Sequence, residues 1–362
     1  MKNHKLAGSI CALLLTALGV STAAAAQTAT ASILVTRPIY RFDGAHGSQL
    51  YRVQPSGQNL TTLVPVTYGV DIQNPGWSPG GSSVVFEALA REANDSYSGW
   101  QLYVVNRQGG SPRQLTTGNG EHSHPLWGPN GIIAFVNGGC LGAVRADGTQ
   151  QHIVFCPPHE SGQRTSYPLH LFQWTASGNG VLIEASGDEG GLEPELLFST
   201  VYRVNVSTGF ATKLAAQVFE SGGGDLTIAP DGQHGVYGGS PMLALDFASN
   251  SVTPLPAGGA NPTYSPDGSK IAFLHSNDPS NPDENLRIYI MRADGSNVHP
   301  APAQTTNPDV YIPSISTWSA DGTRLLFNQV GNNQWVRMID LRTKTSRNVT
   351  NGVAAKRAWF HP

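Results

Sequence analysis

Pro262-Thr263-Tyr264-Ser265-Pro266-Asp267-Gly268, followed closely by the β-type run Ile271-Ala272-Phe273, is a phrase that recurs along this chain. Strong copies are Pro75-Gly76-Trp77-Ser78-Pro79-Gly80-Gly81, Pro125-Leu126-Trp127-Gly128-Pro129-Asn130-Gly131, and Pro313 with Trp318-Ser319-Ala320-Asp321-Gly322. Weaker copies are Trp174-Thr175-Ala176-Ser177-Gly178 and Ile228-Ala229-Pro230-Asp231-Gly232. Each copy runs into a short apolar stretch such as Val84-Val85-Phe86, Ile132-Ile133-Ala134-Phe135 or Leu325-Leu326-Phe327. A turn that recurs together with a strand marks a repeat architecture.

A second phrase follows in most units, alternating apolar and polar residues before another turn. Examples are Gln101-Leu102-Tyr103-Val104-Val105-Asn106, Val201-Tyr202-Arg203-Val204-Asn205 and Arg287-Ile288-Tyr289-Ile290-Met291 ahead of Asp294-Gly295. Alternation gives a strand two distinct faces, and Asp-Gly supplies the positive φ of a tight hairpin. Each unit therefore predicts four strands: a before the Ser-Pro-Asp-Gly turn, b after it, then c and d around the second turn. Spacings between equivalent turn residues vary, as from Pro230 to Pro266 and from Pro79 to Pro129, and lie around the roughly 40–50 residues of a propeller blade. The expected fold is all-β, a β-propeller of about seven four-stranded blades. Six is the alternative count, because the third and fifth units are short.

The two ends of the chain complement each other. Ser32-Ile33-Leu34-Val35-Thr36 and Gln49-Leu50-Tyr51-Arg52-Val53 read as strands b and c without a strand a, while Arg357-Ala358-Trp359-Phe360 reads as a strand a without a b. The C-terminal strand is expected to complete the first blade and close the ring, which hides strand edges.

The phrases Pro-x-Trp-Ser-Pro-Asp-Gly-x-x-Ile-Ala-Phe and Ile-Tyr-x-Met-x-x-Asp-Gly resemble the TolB-like, WD40-like (PD40) propeller repeat over nearly all of residues 27–362. The resemblance implies the architecture and no single activity. It departs from TolB in the number of units and in leaving no room for the α/β domain that precedes the propeller there. The TolB partners, TolA and the peptidoglycan lipoprotein, are therefore not carried over. Some oligogalacturonide lyases are built on similar propellers, which supplies an enzyme alternative.

Lys2 and Lys5 precede an apolar run from Leu6 to Val20, and Ala24 and Ala26 provide small residues before Gln27. This is the pattern of a cleavable secretory signal over residues 1–26, leaving one propeller domain from 27 to 362 in the periplasm or secreted. Cys11 lies inside the apolar run, a poor context for a lipid anchor, and no later stretch is long enough to span a bilayer. Removing Lys2 and Lys5 takes the net charge from -3 to -5. A nucleic-acid partner would require a basic face. The charged fraction of 13% with 41 Gly and 25 Pro suits strands and turns.

Cys140 and Cys156 lie equally far from Gly148, so a hairpin centred there faces them across adjacent strands. An exported chain would oxidise them to a disulfide.

Function is narrowed less than fold. In a propeller the b–c and d–a connections share one face, and the long insertions here, Arg37 to Ser48, Leu89 to Gly99, Ser186 to Leu197 and Ser276 to Asn285, fall in the b–c position. Insertions collected on one face mark a binding face. Several are acidic: Glu92 and Asp95, then Asp188, Glu189, Glu193 and Glu195, then Asp278, Asp283 and Glu284. The same face holds the approaches to each strand a, placing Asp71, Asn74, Glu121, His122, His124, His170 and Asp309 around the channel mouth. In a regular strand His122 and His124 would share a side, and with Glu121 nearby they could contribute to a metal site. Two ligands do not complete one, so no metal or other cofactor is assigned, and a divalent ion is left as an alternative. The bland alternative is that both histidines hydrogen-bond neighbouring loops.

Trp77, Trp127, Trp174, Tyr264 and Trp318 hold a fixed place before each turn, which assigns them to inter-blade packing rather than to stacking on a sugar. No Gly-x-Ser-x-Gly elbow is present. The Ser221-Gly222-Gly223-Gly224 cluster leads into a strand, not a helix, and so is no phosphate loop. The expected role is a non-catalytic scaffold that binds an envelope protein or a cell-wall glycan through the loop-bearing face. The alternative is a metal-assisted oligosaccharide lyase or hydrolase acting at the mouth.

Overall fold

The computed structural model describes residues 31–40, 46–90, 99–158, 169–188, 196–220, 225–276, 286–304, 311–331, 333–354 and 359–360. They form seven four-stranded antiparallel sheets, and no helix occurs among the described residues. The count of seven blades decides between the two that the repeat allowed. Blade 2 is typical, with strand a at Val70–Trp77, b at Ser83–Ala90, c at Gln101–Asn106 and d at Arg113–Gln114. Strands a of blades 3 to 7 are His122–Trp127, Leu169–Trp174, Leu226–Ile228, Ala260–Tyr264 and Tyr311–Trp318. Successive a strands lie against one another, blade 2 on 3, 3 on 4, 5 on 6 and 6 on 7.

Blade 1 is completed by the other end of the chain. Trp359–Phe360 pairs antiparallel with Ser32–Ile33, so the sheet runs from the C-terminal strand through Ser32–Tyr40 and His46–Val53 to Thr61–Val64. The closure read from the unmatched strands is present.

The recurrent phrase explains the blade locally. After strand a, the hydroxyl of Ser265 accepts the Lys270 N–H at 2.9 Å and that of Ser319 accepts the Arg324 N–H at 2.9 Å, across the turn. Asp267 accepts from Ser265 Oγ and from the Ser269 N–H at 3.1 Å. These bonds hold its carboxyl down at about 2. Gly81, Gly131, Gly232, Gly268 and Gly322 adopt positive φ in these turns, as the sequence required. Strand b then buries its apolar run: Val84, Val85 and Phe86, Ile271, Ala272 and Phe273, and Leu325, Leu326 and Phe327 are at most 1% exposed. Burying one such phenylalanine contributes about 2–3 kcal/mol.

The aromatics before the turns join the blades, as their fixed position predicts. Trp174 Nε1 donates to the Leu126 carbonyl of the preceding blade at 3.2 Å, and Trp318 Nε1 to that of Thr263 at 3.1 Å. Gly128 stands where other units carry Ser, Thr or Ala, and a Cβ there would lie 2.5 Å from the Trp174 indole. The missing side chain is what lets that ring seat.

Cys140 and Cys156 form a disulfide with Cα atoms 4.3 Å apart, across strands c and d of blade 3. Closing a loop with a sequence separation of 16 stabilises by about 3 kcal/mol in the chain-entropy picture.

The b–c insertions are partly strand rather than loop. In blade 1 pairing continues through Tyr40↔His46, so only 41–45 separate the strands. In blade 4, strands b, c and d extend together through Asp188↔Leu197 and Leu196↔Glu220. Hairpins that keep pairing satisfy their backbone N–H and C=O groups, which an equally long loop leaves to solvent.

Candidate functional site

The ends of strands b and the starts of strands a meet on one face of the ring, where the sequence placed the channel mouth. A structural detail governs what the side chains do there. Strand a of blade 3 shifts register between Ser123 and Leu126, that of blade 2 between Gln73 and Gly76, and that of blade 6 between Ala260 and Thr263. Within each bulge a residue preceding proline takes a left-handed backbone: Asn74 at φ 44°, His124 at 52° and Asn261 at 50°. Asn and His are enriched among the non-Gly residues that adopt it.

The bulge separates the two histidines. His122 is 1% exposed, whereas His124 is exposed and touches Ser123 Oγ through Nδ1 at 3.1 Å. They do not share a side, as a regular strand would have required. His122 Nδ1 lies 3.0 Å from Gln101 Oε1, and Nε2 lies 3.2 Å from both Asn137 Nδ2 and Gln151 Nε2. An acceptor at one nitrogen and two amide donors at the other fix a neutral ring with the proton on Nδ1. Burial also lowers its pKa. Gln101 Oε1 accepts Thr116 Oγ1 at 2.9 Å, and Thr116 Oγ1 accepts the Leu102 N–H at 2.9 Å. The network ties blade 2 to blade 3.

Beside it lies Glu87 of blade 2, only 2% exposed. Asn74 Nδ2 donates to its Oε1 at 2.7 Å and the His124 N–H to its Oε2 at 2.6 Å. Removal from water pushes this carboxyl above its ordinary value; the two hydrogen bonds and His124 oppose the shift and nearby Glu121 adds to it. In blade 4, Glu184 is 6% exposed and accepts from Ser199 Oγ, which also meets the Tyr237 hydroxyl of blade 5. Tyr237 is pushed far above the usual phenol range, first by burial and then by the Glu184 charge.

Sequence reasoning did not single out Glu87, Glu184 or Gln101. The signal was present in the repeat register, because Glu87 and Glu184 follow the last large core residue of strand b (Phe86 and Ile183), where other blades carry Val136 and Leu274. A carboxylate in a core position of a repeat demands a partner.

The remaining sequence candidates are dispersed. Glu121 and His170 are exposed, His170 lying opposite Glu184 in the strand pairing. Asp71 Oδ2 lies 3.4 Å from His46 Nε2, and Asp71 Oδ1 accepts Ser48 Oγ at 3.4 Å. Asp309, Glu92, Asp95, Glu189, Glu193, Glu195, Asp278, Asp283 and Glu284 lie outside the described residues, and of Asp188 only the backbone is described. Among the described residues no three His, Cys, Asp or Glu side chains gather as a metal would require. The accepting nitrogen of His122 is already used.

No family model matches the chain, so the PD40 likeness rests on the repeat phrases themselves. No curated protein sequence matches either. Solved structures do. An oligogalacturonate lyase in complex with manganese superposes with a TM-score of 0.60 at 13% identity, over 88% of this chain and 85% of that one. A puromycin hydrolase gives 0.61 at 16% identity, over 91% of this chain but 53% of its own length. The β-propeller domain of the Trilobed protease from Pyrococcus furiosus gives 0.57 at 11% identity, over 88% and 94%. At such identities the likeness establishes the propeller fold.

Proposed function

We propose that the protein is an exported, non-catalytic binding scaffold that holds an envelope protein or a cell-wall component on the face carrying its b–c hairpins. The observation that carries this reading is the engagement of the polar groups at the mouth. Both nitrogens of His122 and both oxygens of Glu87 are engaged by protein groups, His122 Nδ1 and Glu87 Oε2 across the joint of blades 2 and 3 and the other two atoms within their own blades. General acid–base chemistry needs such a group within reach of a substrate proton. The hairpins of blades 1 and 4 meanwhile extend as paired strands, a rigid form of binding surface. The signal-like N-terminus and the disulfide pair support an oxidising compartment outside the cytoplasm.

Immobilised residues 27–362 should retain one envelope component saturably, and a variant with the acidic b–c residues neutralised should lose it. Retention that is unchanged in the variant removes the acidic hairpins from the binding face. A second reading, a metal-assisted oligosaccharide lyase, is favoured by the likeness to the manganese-bound lyase. It requires stoichiometric manganese in the purified protein and unsaturated products from oligogalacturonate, and the absence of both ends it.

A further inference from the structure

The hairpin of blade 1 ends in the pair Tyr40↔His46 and folds down on the segment leading into blade 2. The His46 carbonyl accepts the Gly69 N–H at 2.7 Å. A Cβ at Gly47 would lie 2.5 Å from the Thr67 carbonyl oxygen, so glycine there permits the close approach. This sets the Tyr68 backbone against Gly47, beside the hairpin end that carries Tyr40 and a His–Asp pair. The Tyr40 and His46 ring centroids are 6.4 Å apart, Tyr68 adjoins Gly69, and His46 Nε2 stands 3.4 Å from Asp71 Oδ2, with Ser48 on the other carboxylate oxygen. Tyr40 is 76% exposed and Tyr68 42%. His46 and Asp71 are each about one-third exposed, at 37% and 31% of their side chains.

We propose that this corner is a subsite for an uncharged pyranose ring, a neutral or N-acetylated sugar unit of an oligosaccharide. A pyranose has an apolar C–H face and a rim of hydroxyls, and the corner offers flat phenol faces beside a carboxylate acceptor and an imidazole. Tyrosine supplies such contact area at low entropic cost while keeping its hydroxyl wet. The Asp71 charge, on a chain of net negative charge, repels uronate units, so the subsite selects against the substrate of the lyase alternative. The inference rests on the binding-scaffold reading and narrows its partner to a glycan.

The test titrates residues 27–362 with cellotetraose and chitotetraose as uncharged probes and oligogalacturonate as the charged contrast, by calorimetry. At least one uncharged probe should bind saturably. Tyr40→Ala and Tyr68→Ala should each weaken it about tenfold, the effect of losing about 1.4 kcal/mol of ring contact. Melting curves check that the variants fold, and Tyr40 is exposed enough to leave them unchanged. Asp71→Asn should raise oligogalacturonate affinity relative to wild type. Binding that survives the double tyrosine variant, uronate preferred by wild type, or no response to either uncharged probe overturns the subsite. If the probes fail while an envelope protein is still retained, the subsite falls and the scaffold reading stands. If the probes bind but the envelope extract yields nothing, the subsite stands without the scaffold.

Discussion

Between blades 2 and 3, the residue that follows the strand b aromatic is Glu87; at the seam between blade 7 and the segment running to blade 1, it is Asn328. Both are buried, at 2% and 6% exposure, and both reach from the end of strand b to the chain of the next blade. Asn328 Oδ1 accepts the Ala354 N–H at 2.9 Å, while Nδ2 donates at 3.0 Å to the Ala354 carbonyl and to Ser314 Oγ. Glu87 only accepts, from Asn74 Nδ2 and the His124 N–H. A carboxamide matches a peptide group on both sides without charge. A carboxylate makes stronger, charge-assisted bonds but must be stripped of water. One repeat position thus yields a joint indifferent to pH and a joint that responds to it.

The largest expected effect is at the seam. Removing residues 357–362 takes away the strand paired with Ser32–Ile33 and should cost roughly 4–5 kcal/mol or more in urea unfolding. A much smaller loss would mean that Asn328 and its neighbours hold the seam without the strand. Asn328→Asp should come next, at about 3 kcal/mol at neutral pH, because a carboxylate would face the Ala354 carbonyl with no donor. The loss should shrink on acidification, making this joint pH-sensitive like the other.

Glu87→Gln works in the opposite direction and more gently, at about 1 kcal/mol in acid, where the wild-type group is protonated. The folded carboxyl sits above its unfolded value. Its favourable contribution is therefore complete below the ordinary glutamate range and is lost as pH rises through the folded value. The cost of the substitution should fall with rising pH. A cost that grows instead would show that the two hydrogen bonds outweigh burial.

The smallest effect belongs to His122 in the same joint. Burial lowers its pKa, so the stability it contributes is lost as pH falls below the ordinary histidine range. Its ring signals in nuclear magnetic resonance should show a midpoint below that of an ordinary histidine. Glu87 contributes fully only below the ordinary glutamate range and His122 only above the ordinary histidine range, so the blade 2–3 joint should be weakest between them.

The ring was legible because its information is local and repeated. The Ser-x-Asp-Gly turns, the three-residue cores of strand b and the unmatched strands at the ends each survive in the folded chain. The mouth was less legible for two physical reasons. A bulge at Ser123–Leu126 breaks the two-residue alternation on which pairing His122 with His124 depended, and Pro125 was its only mark in the sequence. Glu87 and Glu184 sit in strands whose alternation permits an outward polar residue, and only alignment with Val136 and Leu274 shows that the position is interior. Tyr40 and His46 fell inside a segment taken for loop, so their strand pairing, and the corner it builds with Asp71, emerged only from the fold.

The pairing of Ser32 with Phe360 also sets the order in which the molecule can be made. Every other blade is assembled from strands adjacent in sequence, whereas blade 1 draws together the most distant residues in the ring. Contacts of such sequence separation carry a large loop-closure entropy and form late. Until the last strand arrives, strand b of blade 1 offers an open edge to any other extended chain. The final event of folding is therefore also the one that ends the risk of aggregation, and crowding during synthesis should be most harmful just before it.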